Sequence, residues 1–140
     1  MNSILVPVDG SATAMNAVKA AIAASGKTGS KLFIITVQAP VFTSNVKRFV
    51  AAETLDEYYH DQGEEALKDV RELLKSKGIE ASTEIMVGPV AETITDYAKT
   101  KGCDLIIMGT RGMGAVSNLV MGSVATKVVS LAEMPVMLVK

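Results

Sequence analysis

Along the chain, short and almost wholly apolar runs alternate with longer stretches in which apolar positions recur at helical spacing. Ser3–Val8 (Ser-Ile-Leu-Val-Pro-Val) is the first such run and ends in Asp9-Gly10-Ser11, which predicts a strand buried on both faces and then a turn. Pro7 has no N–H to give a ladder, so it belongs near the strand end. From Thr13 to Ala24 the alanines, Met15, Val18 and Ile22 predict a helix, with Ser11 or Thr13 able to cap it and Gly26 and Gly29 marking its exit. Lys31–Val37 is a second β-branched strand. Gln38 to Glu53 has no firm period and predicts a long connection, variable or mobile. Leu55–Lys77 carries Tyr59, Ala66, Leu67, Val70, Leu73 and Leu74 on one stripe, an amphipathic helix closed by Gly78 and softened in its first half by Gly63.

The alternation continues to the end of the chain. Glu80–Val87 predicts a strand, and Gly88-Pro89 opens a helix with Val90, Ala91, Ile94, Tyr97 and Ala98 on its apolar face, ended by Gly102. Asp104–Met108 is a fourth strand running into the glycine-rich Gly109-Thr-Arg-Gly-Met-Gly114. Gly122-Ser123 begins a helix through Ala132, and Pro135–Val139 is a fifth strand. Strand and helix in strict alternation require right-handed crossovers, so the class is α/β: an open five-stranded parallel sheet with helices on both faces. The order 3-2-1-4-5 puts the topological switch point between strands one and four, beside Asp9 and Gly109, where a ligand binds in such sheets.

Composition narrows the chemistry. A length of 140 residues fits one domain spanning residues 1–140, and 49% hydrophobic against 21% charged residues argues against disorder. Fourteen basic against fifteen acidic side chains give a net charge of −1, so no broad field draws the chain to nucleic acid or an anionic membrane. No run approaches the ~18 apolar residues of a membrane span, and no leader-like start is evident, so a cytoplasmic location is expected. One cysteine, Cys103, and one histidine, His60, leave disulfides, cysteine zinc sites and most triad chemistry without parts. Cys103 is expected as a small buried hydrophobe and His60 as a solvated side chain.

The strongest chemical signal is Gly109-x-x-Gly112, nine residues, then Gly122-Ser123. Glycines let the main chain turn and approach an anion, and the free N–H groups of a helix N-terminus favour phosphate. The Ser123 hydroxyl adds a donor, and Arg111 supplies a guanidinium that either meets phosphate or is solvated. The same loop also has a bland reading, as a plain strand-to-helix connection. Two rival motifs fail. Gly26-Lys27-Thr28 matches the tail of a P-loop, but Ala21 stands where its first glycine belongs and a helix precedes it. Gly112-x-Gly114-x-x-Ser117 starts as a dinucleotide fingerprint and lacks the third glycine.

These glycines, with Ile4–Ser11, Val87-Gly88-Pro89, Asp104–Gly112 and Met134–Val139, resemble the universal stress protein family over nearly the whole chain, in particular its ATP-binding branch with the signature G-x-x-G-x(9)-G-[S/T]. The stretch from Gln38 to about Tyr59 has no match. The resemblance implies a Rossmann-like fold of the adenine nucleotide alpha hydrolase type and an adenine nucleotide, ATP or its mono- and diphosphate relatives, across the strand ends. It implies Mg²⁺ or Mn²⁺ carried on the phosphates. It counts Val8 among the binding residues and places Asp9, directly after it, at the adenosine portion or at a phosphate-bound metal, with Pro7 and Val37 walling the adenine and Met108 on the base or ribose side. Gly109, Arg111, Gly112 and Gly114 wrap ribose and phosphates, and Gly122, Ser123 and Val124 meet the phosphate tail. For Asp9 the residues alone also allow an Asx turn before the first helix, a compatible role.

No Walker lysine, no histidine near the loop and no paired carboxylates stand ready to orient water, so the expectation is a nucleotide binder with at most slow ATP hydrolysis, acting as a switch toward unknown protein partners in stress survival. The apolar last strand at a sheet edge, and the family's habit of pairing it, imply a homodimer through Pro135–Val139, with Val136 and Leu138 among its contacts. Two alternatives stand beside this reading: a dimeric scaffold that needs no ligand, and a flavodoxin-like electron carrier, disfavoured by 4% aromatic residues and no Trp.

Overall fold

The computed structural model describes residues 2–40, 51–111 and 121–140. In chain order the elements are β1 (Ser3–Pro7), α1 (Ala12–Thr28), β2 (Lys31–Gln38), α2 (Ala52–Ser76), β3 (Ser82–Val87), α3 (Val90–Thr100), β4 (Leu105–Gly109), α4 (Ser123–Leu131) and β5 (Val136–Val139). The strands form one sheet in the order β3-β2-β1-β4-β5, every neighbouring pair parallel. The predicted class and strand order are those observed.

Alternation along the central strands sorts side chains to two faces. Ile4, Val6 and Val8 join Ile34 and Ile107 in a core closed by Ala14, Ala17 and Val18 of α1 and Leu67, Val70 and Leu74 of α2. Leu5, Ile35, Ile106 and Met108 face the other way, against Ala91, Ile94 and Ala98 of α3 and Ala125 and Val128 of α4. The two helices before the switch point therefore cover one face, and the two after it cover the other. Each fully buried Ile or Leu here contributes about 1.5–3 kcal/mol relative to exposure.

Several boundaries differ from the sequence expectation, each for a local reason. β1 ends at Pro7, opposite Ile35, and the next N–H, from Val8, still bonds Ile35 O at 2.8 Å. α1 runs through Gly26 to Thr28, because Gly29, at φ +74°, supplies the left-handed cap and its N–H bonds Ser25 O at 2.8 Å. α2 starts three residues early, with Glu53 in its first turn, where a carboxylate favours the helix dipole. β3 begins only at Ser82, since Ile79 is still tied to the helix end through Leu74 O at 2.9 Å. Asp104 lies outside β4: its carboxylate accepts the Asn2 N–H at 2.8 Å and the Ser3 N–H at 3.3 Å, pinning the start of β1. Those bonds, the one from Asn2 foremost, hold its pKa below the usual carboxylate value.

Gly63 does not soften α2; it lets the helix lie close on the sheet. A Cβ there would stand 2.4 Å from Ile85 Cγ2 and 2.7 Å from Cγ1. With two of the three staggered positions in contact, no χ1 rotation of Ile85 clears both. Arg71, paired with Glu64 on the same helix, reaches β3 through the Thr83 hydroxyl at 3.4 Å. Cys103 is buried, which pushes its thiol pKa up, and His60 is exposed on α2, 3.7 Å from Glu64. The connection expected between Gln38 and Glu53 lies mostly outside the described residues, as do Gly112, Met113 and Gly114.

Gly63→Ala is expected to lose about 1–3 kcal/mol in urea unfolding, and the same change in an Ile85→Ala background to gain toward the ~1 kcal/mol of helix propensity. A stabilised single variant would contradict the close approach.

Candidate functional site

The carboxyl ends of β1 and β4 lie side by side where the sheet changes winding direction. Val8 is buried in the α1/α2 core, whereas Val37 and Met108 belong to the α3/α4 face, and alternation puts Pro7 there with Leu5. Met108 is itself a core residue, paired in register with Leu138, and Val37 is half-buried opposite Met86. Pro7, Val37 and Met108 thus share the face that α4 covers, and Val8, also predicted as a binding residue, does not.

At the end of β1 the chain turns through Gly10, at φ +85°, a backbone conformation that favours glycine. The Asp9 carboxylate accepts the Ser11 N–H at 2.9 Å, an Asx turn, and Ser11 caps α1 by accepting the Ala14 N–H at 3.2 Å. Of the two capping candidates Ser11 takes the role. Thr13 instead donates its hydroxyl to the Arg111 carbonyl.

Gly109, the last residue of β4, has a second duty besides turning the chain. A Cβ there would lie 2.7 Å from Thr13 Oγ1 and 2.9 and 3.0 Å from the Thr13 carbonyl carbon and the Ala14 nitrogen. Main-chain atoms cannot yield as a flexible side chain does, so glycine sets how closely β4 meets the start of α1. Beyond it, Thr110 N donates to Val139 O at 2.9 Å and Thr110 O accepts the Gly122 N–H at 2.6 Å. Thr110 therefore clamps the start of α4 and the end of β5 to the end of β4.

Gly122 is the N-cap of α4 in an extended conformation (φ −79°, ψ 163°); it offers no side-chain cap, and no acid stands in the first turn. Ser123 and Val124 are exposed. The first-turn N–H groups and the Ser123 hydroxyl are thus an electropositive end on the face that holds Pro7, Val37 and Met108. α4 is held to α3 by the pair Lys127–Glu92, and the hydrogen bond from Lys127 is the main cause keeping the Glu92 pKa low.

A cleft of about 700 Å³ opens beside the same strand ends on the opposite face. Asp9, Ser11 and Met15 line one wall, Gln38 the sheet end, and Gln62, Glu65 and Asp69 of α2 the other. Among the described residues three carboxylates and no basic side chain line it, a poor wall for phosphate. The α2 residues were not singled out from the sequence, although their spacing at i, i+3 and i+7 aligns them on one stripe. Among the described residues no group of three or more His, Cys, Asp or Glu side chains converges to hold a metal ion.

The sequence matches the model of the universal stress protein family over residues 1–140. The chain belongs to the universal stress protein family. It is 33% identical to universal stress protein YxiE of Bacillus subtilis over 99% of both chains. It is 32% identical to universal stress protein MJ0531 of Methanocaldococcus jannaschii over 98% of this chain and 81% of that one. The solved structure of MJ0577 from the same archaeon superposes with a TM-score of 0.84 at 27% identity, over 99% of this chain and 95% of that one. Two more distant structures share the fold at a TM-score of 0.72: a universal stress protein in complex with cAMP, at 23% identity over 99% of this chain and 97% of its own, and one from Archaeoglobus fulgidus in complex with dAMP, at 21% over 100% and 98%.

Gly109→Ala is expected to drive β4 off the start of α1 and to lower stability by about 1–3 kcal/mol in urea unfolding. An unchanged midpoint would show that the contact with Thr13 and Ala14 is slack.

Proposed function

We propose that this universal stress protein binds an adenine nucleotide, ATP or its mono- and diphosphate relatives, across the carboxyl ends of β1 and β4, and acts through it as a switch in the stress response. The observation that carries this is the uncapped start of α4, clamped to Thr110 at the switch point, with no acid in its first turn. Amide donors held there supply an anion with hydrogen bonds and a favourable dipole end without further rearrangement. The motif Gly109-x-x-Gly112-x(9)-Gly122-Ser123 spans that clamp. The complexes of two proteins of this fold with cAMP and dAMP agree with an adenine ligand.

In this reading Pro7, Val37 and Met108 form the apolar side against the base. Asp9, at the turn after β1, meets the ribose. Gly109, Arg111, Gly112 and Gly114 follow the ribose and phosphates, and Gly122, Ser123 and Val124 hold the tail. A divalent cation, Mg²⁺ or Mn²⁺, rides on the phosphates and neutralises charge there. The residues assigned are binding residues; none is assigned to orient an attacking water, so turnover is slow at most. Ligand that binds only the folded chain stabilises it by RT ln(1 + [L]/Kd), and the surface that bound nucleotide changes is what partner proteins read.

β5 lies at the sheet edge with Met137 45% exposed and Val136 and Leu138 half-buried. An apolar edge strand pairs with another edge unless covered, so a homodimer through Pro135–Val139 is part of the proposal.

Calorimetry is expected to show ATP-Mg binding by the wild type, weakened at least about tenfold in Gly122→Val with the circular dichroism spectrum intact. Valine tolerates the extended backbone of Gly122, so the variant tests close approach of the phosphates. No heat with ATP, and no adenine nucleotide released on denaturing the purified protein, would favour the ligand-independent scaffold. Sedimentation at micromolar concentration should give a dimer; a monomer would refute the edge pairing.

A further inference from the structure

The ends of β1 and β4 are joined by hydrogen bonds whose direction can be assigned throughout. Asp9 accepts the Ser11 N–H, and the Ser11 oxygen accepts the Ala14 N–H. A hydroxyl has one proton to give, and that of Thr13 goes to the Arg111 carbonyl. The 3.4 Å contact between the Ser11 and Thr13 hydroxyls must then run from Ser11 to Thr13. The result is one chain of contacts from Asp9 through Ser11 and Thr13 to the main chain just beyond β4. Gly109 makes room for it, since any Cβ there would crowd Thr13 Oγ1 at 2.7 Å.

Thr13 reaches this point from the α1/α2 side, whereas Val37, Met108 and the start of α4 lie on the other. Its hydroxyl is therefore engaged with backbone behind the nucleotide face and not with a ligand on it. We infer that Thr13 is a positioning residue: it fixes the Arg111 carbonyl, and so sets the direction in which the chain leaves β4 toward the phosphate-binding amides of Ser123 and Val124. The inference rests on the nucleotide reading and deepens it, because it ties the ribose residue Asp9 to the phosphate half of the same site. Without the hydroxyl, the Arg111 carbonyl loses this bond and the direction in which the chain leaves β4 is less constrained. The adenosine half, built on β1 and β2, keeps its support.

The test compares ATP-Mg and adenosine by calorimetry on wild type, Thr13→Val, Thr13→Ala and Thr13→Ser, with urea midpoints of the unliganded proteins. Valine keeps the shape and alanine avoids a methyl in a tight contact, so one of the two folds even if the other does not. Either is expected to weaken ATP about tenfold and adenosine by less than about twofold, with Thr13→Ser restoring ATP to within about threefold of wild type. Equal losses for both ligands would show a merely structural residue and overturn the inference. ATP affinity unchanged in Thr13→Val or Thr13→Ala would overturn it while leaving the nucleotide reading intact. A wild type that binds neither ligand would remove both.

Discussion

A parallel sheet buried on both faces must send every connection over one face or the other, and here the connections change face between β1 and β4. That reversal governs the rest of the molecule. The chain leaving β1 turns toward α1 and the chain leaving β4 toward α4, so a crevice opens between two helix N-termini. Neither end could be buried without partners for its free N–H groups. α1 solves the problem internally, with the Ser11 cap and the Asp9 turn. α4 has no side-chain cap at Gly122 and no acid in its first turn, and it begins at the crevice. The difference between those two helix starts is the physical basis for placing an anion at one and not at the other.

The faces of the sheet divide the work as well. Burial of Ile4, Val6, Val8 and Ile107 under α1 and α2 fixes the back of the crevice, while Val37 and Met108 lie with α3 and α4 on the front. The acid-lined cleft beside α2 is on the back, where phosphate is opposed by Glu65 and Asp69. Charge and topology therefore agree on the side of the sheet proposed for an adenylate tail. Thr110 binds these parts together, since one residue donates to β5 and accepts from the start of α4.

The strands were legible because full burial leaves a plain apolar run: Ser3–Pro7 and Leu105–Gly109 are each near-continuous in hydrophobic residues. The alternation of strands and helices then left few topologies to choose from, and the family resemblance named one. What local pattern could not show is any contact between residues far apart in sequence. Gly109 reads as a flexible turn until Thr13 is seen against it, 96 positions away in the chain. Gly63 reads as a weak point in a helix until Ile85 is found beneath it. Asp104 reads as the first residue of a strand, whereas its carboxylate is engaged with the backbone of Asn2 and Ser3. Gly26 and Gly29 differ only in backbone angle, a property that the amino-acid type permits and does not dictate. Of the candidate site, the glycine and serine positions at both strand ends were visible from spacing; the segregation of Val8 from Pro7, Val37 and Met108 needed the sheet.

The central claim is that uncapped amides at the start of α4 receive the charged tail of an adenine nucleotide. The most direct measurement is the amide spectrum of the ¹⁵N-labelled protein titrated with ATP-Mg and, separately, with adenosine. The account predicts that the Ser123 and Val124 resonances move with ATP and hardly move with adenosine. If those two stay fixed while the resonances of Gln62, Glu65 and Asp69 respond, the ligand lies in the cleft on the other face and the claim is contradicted.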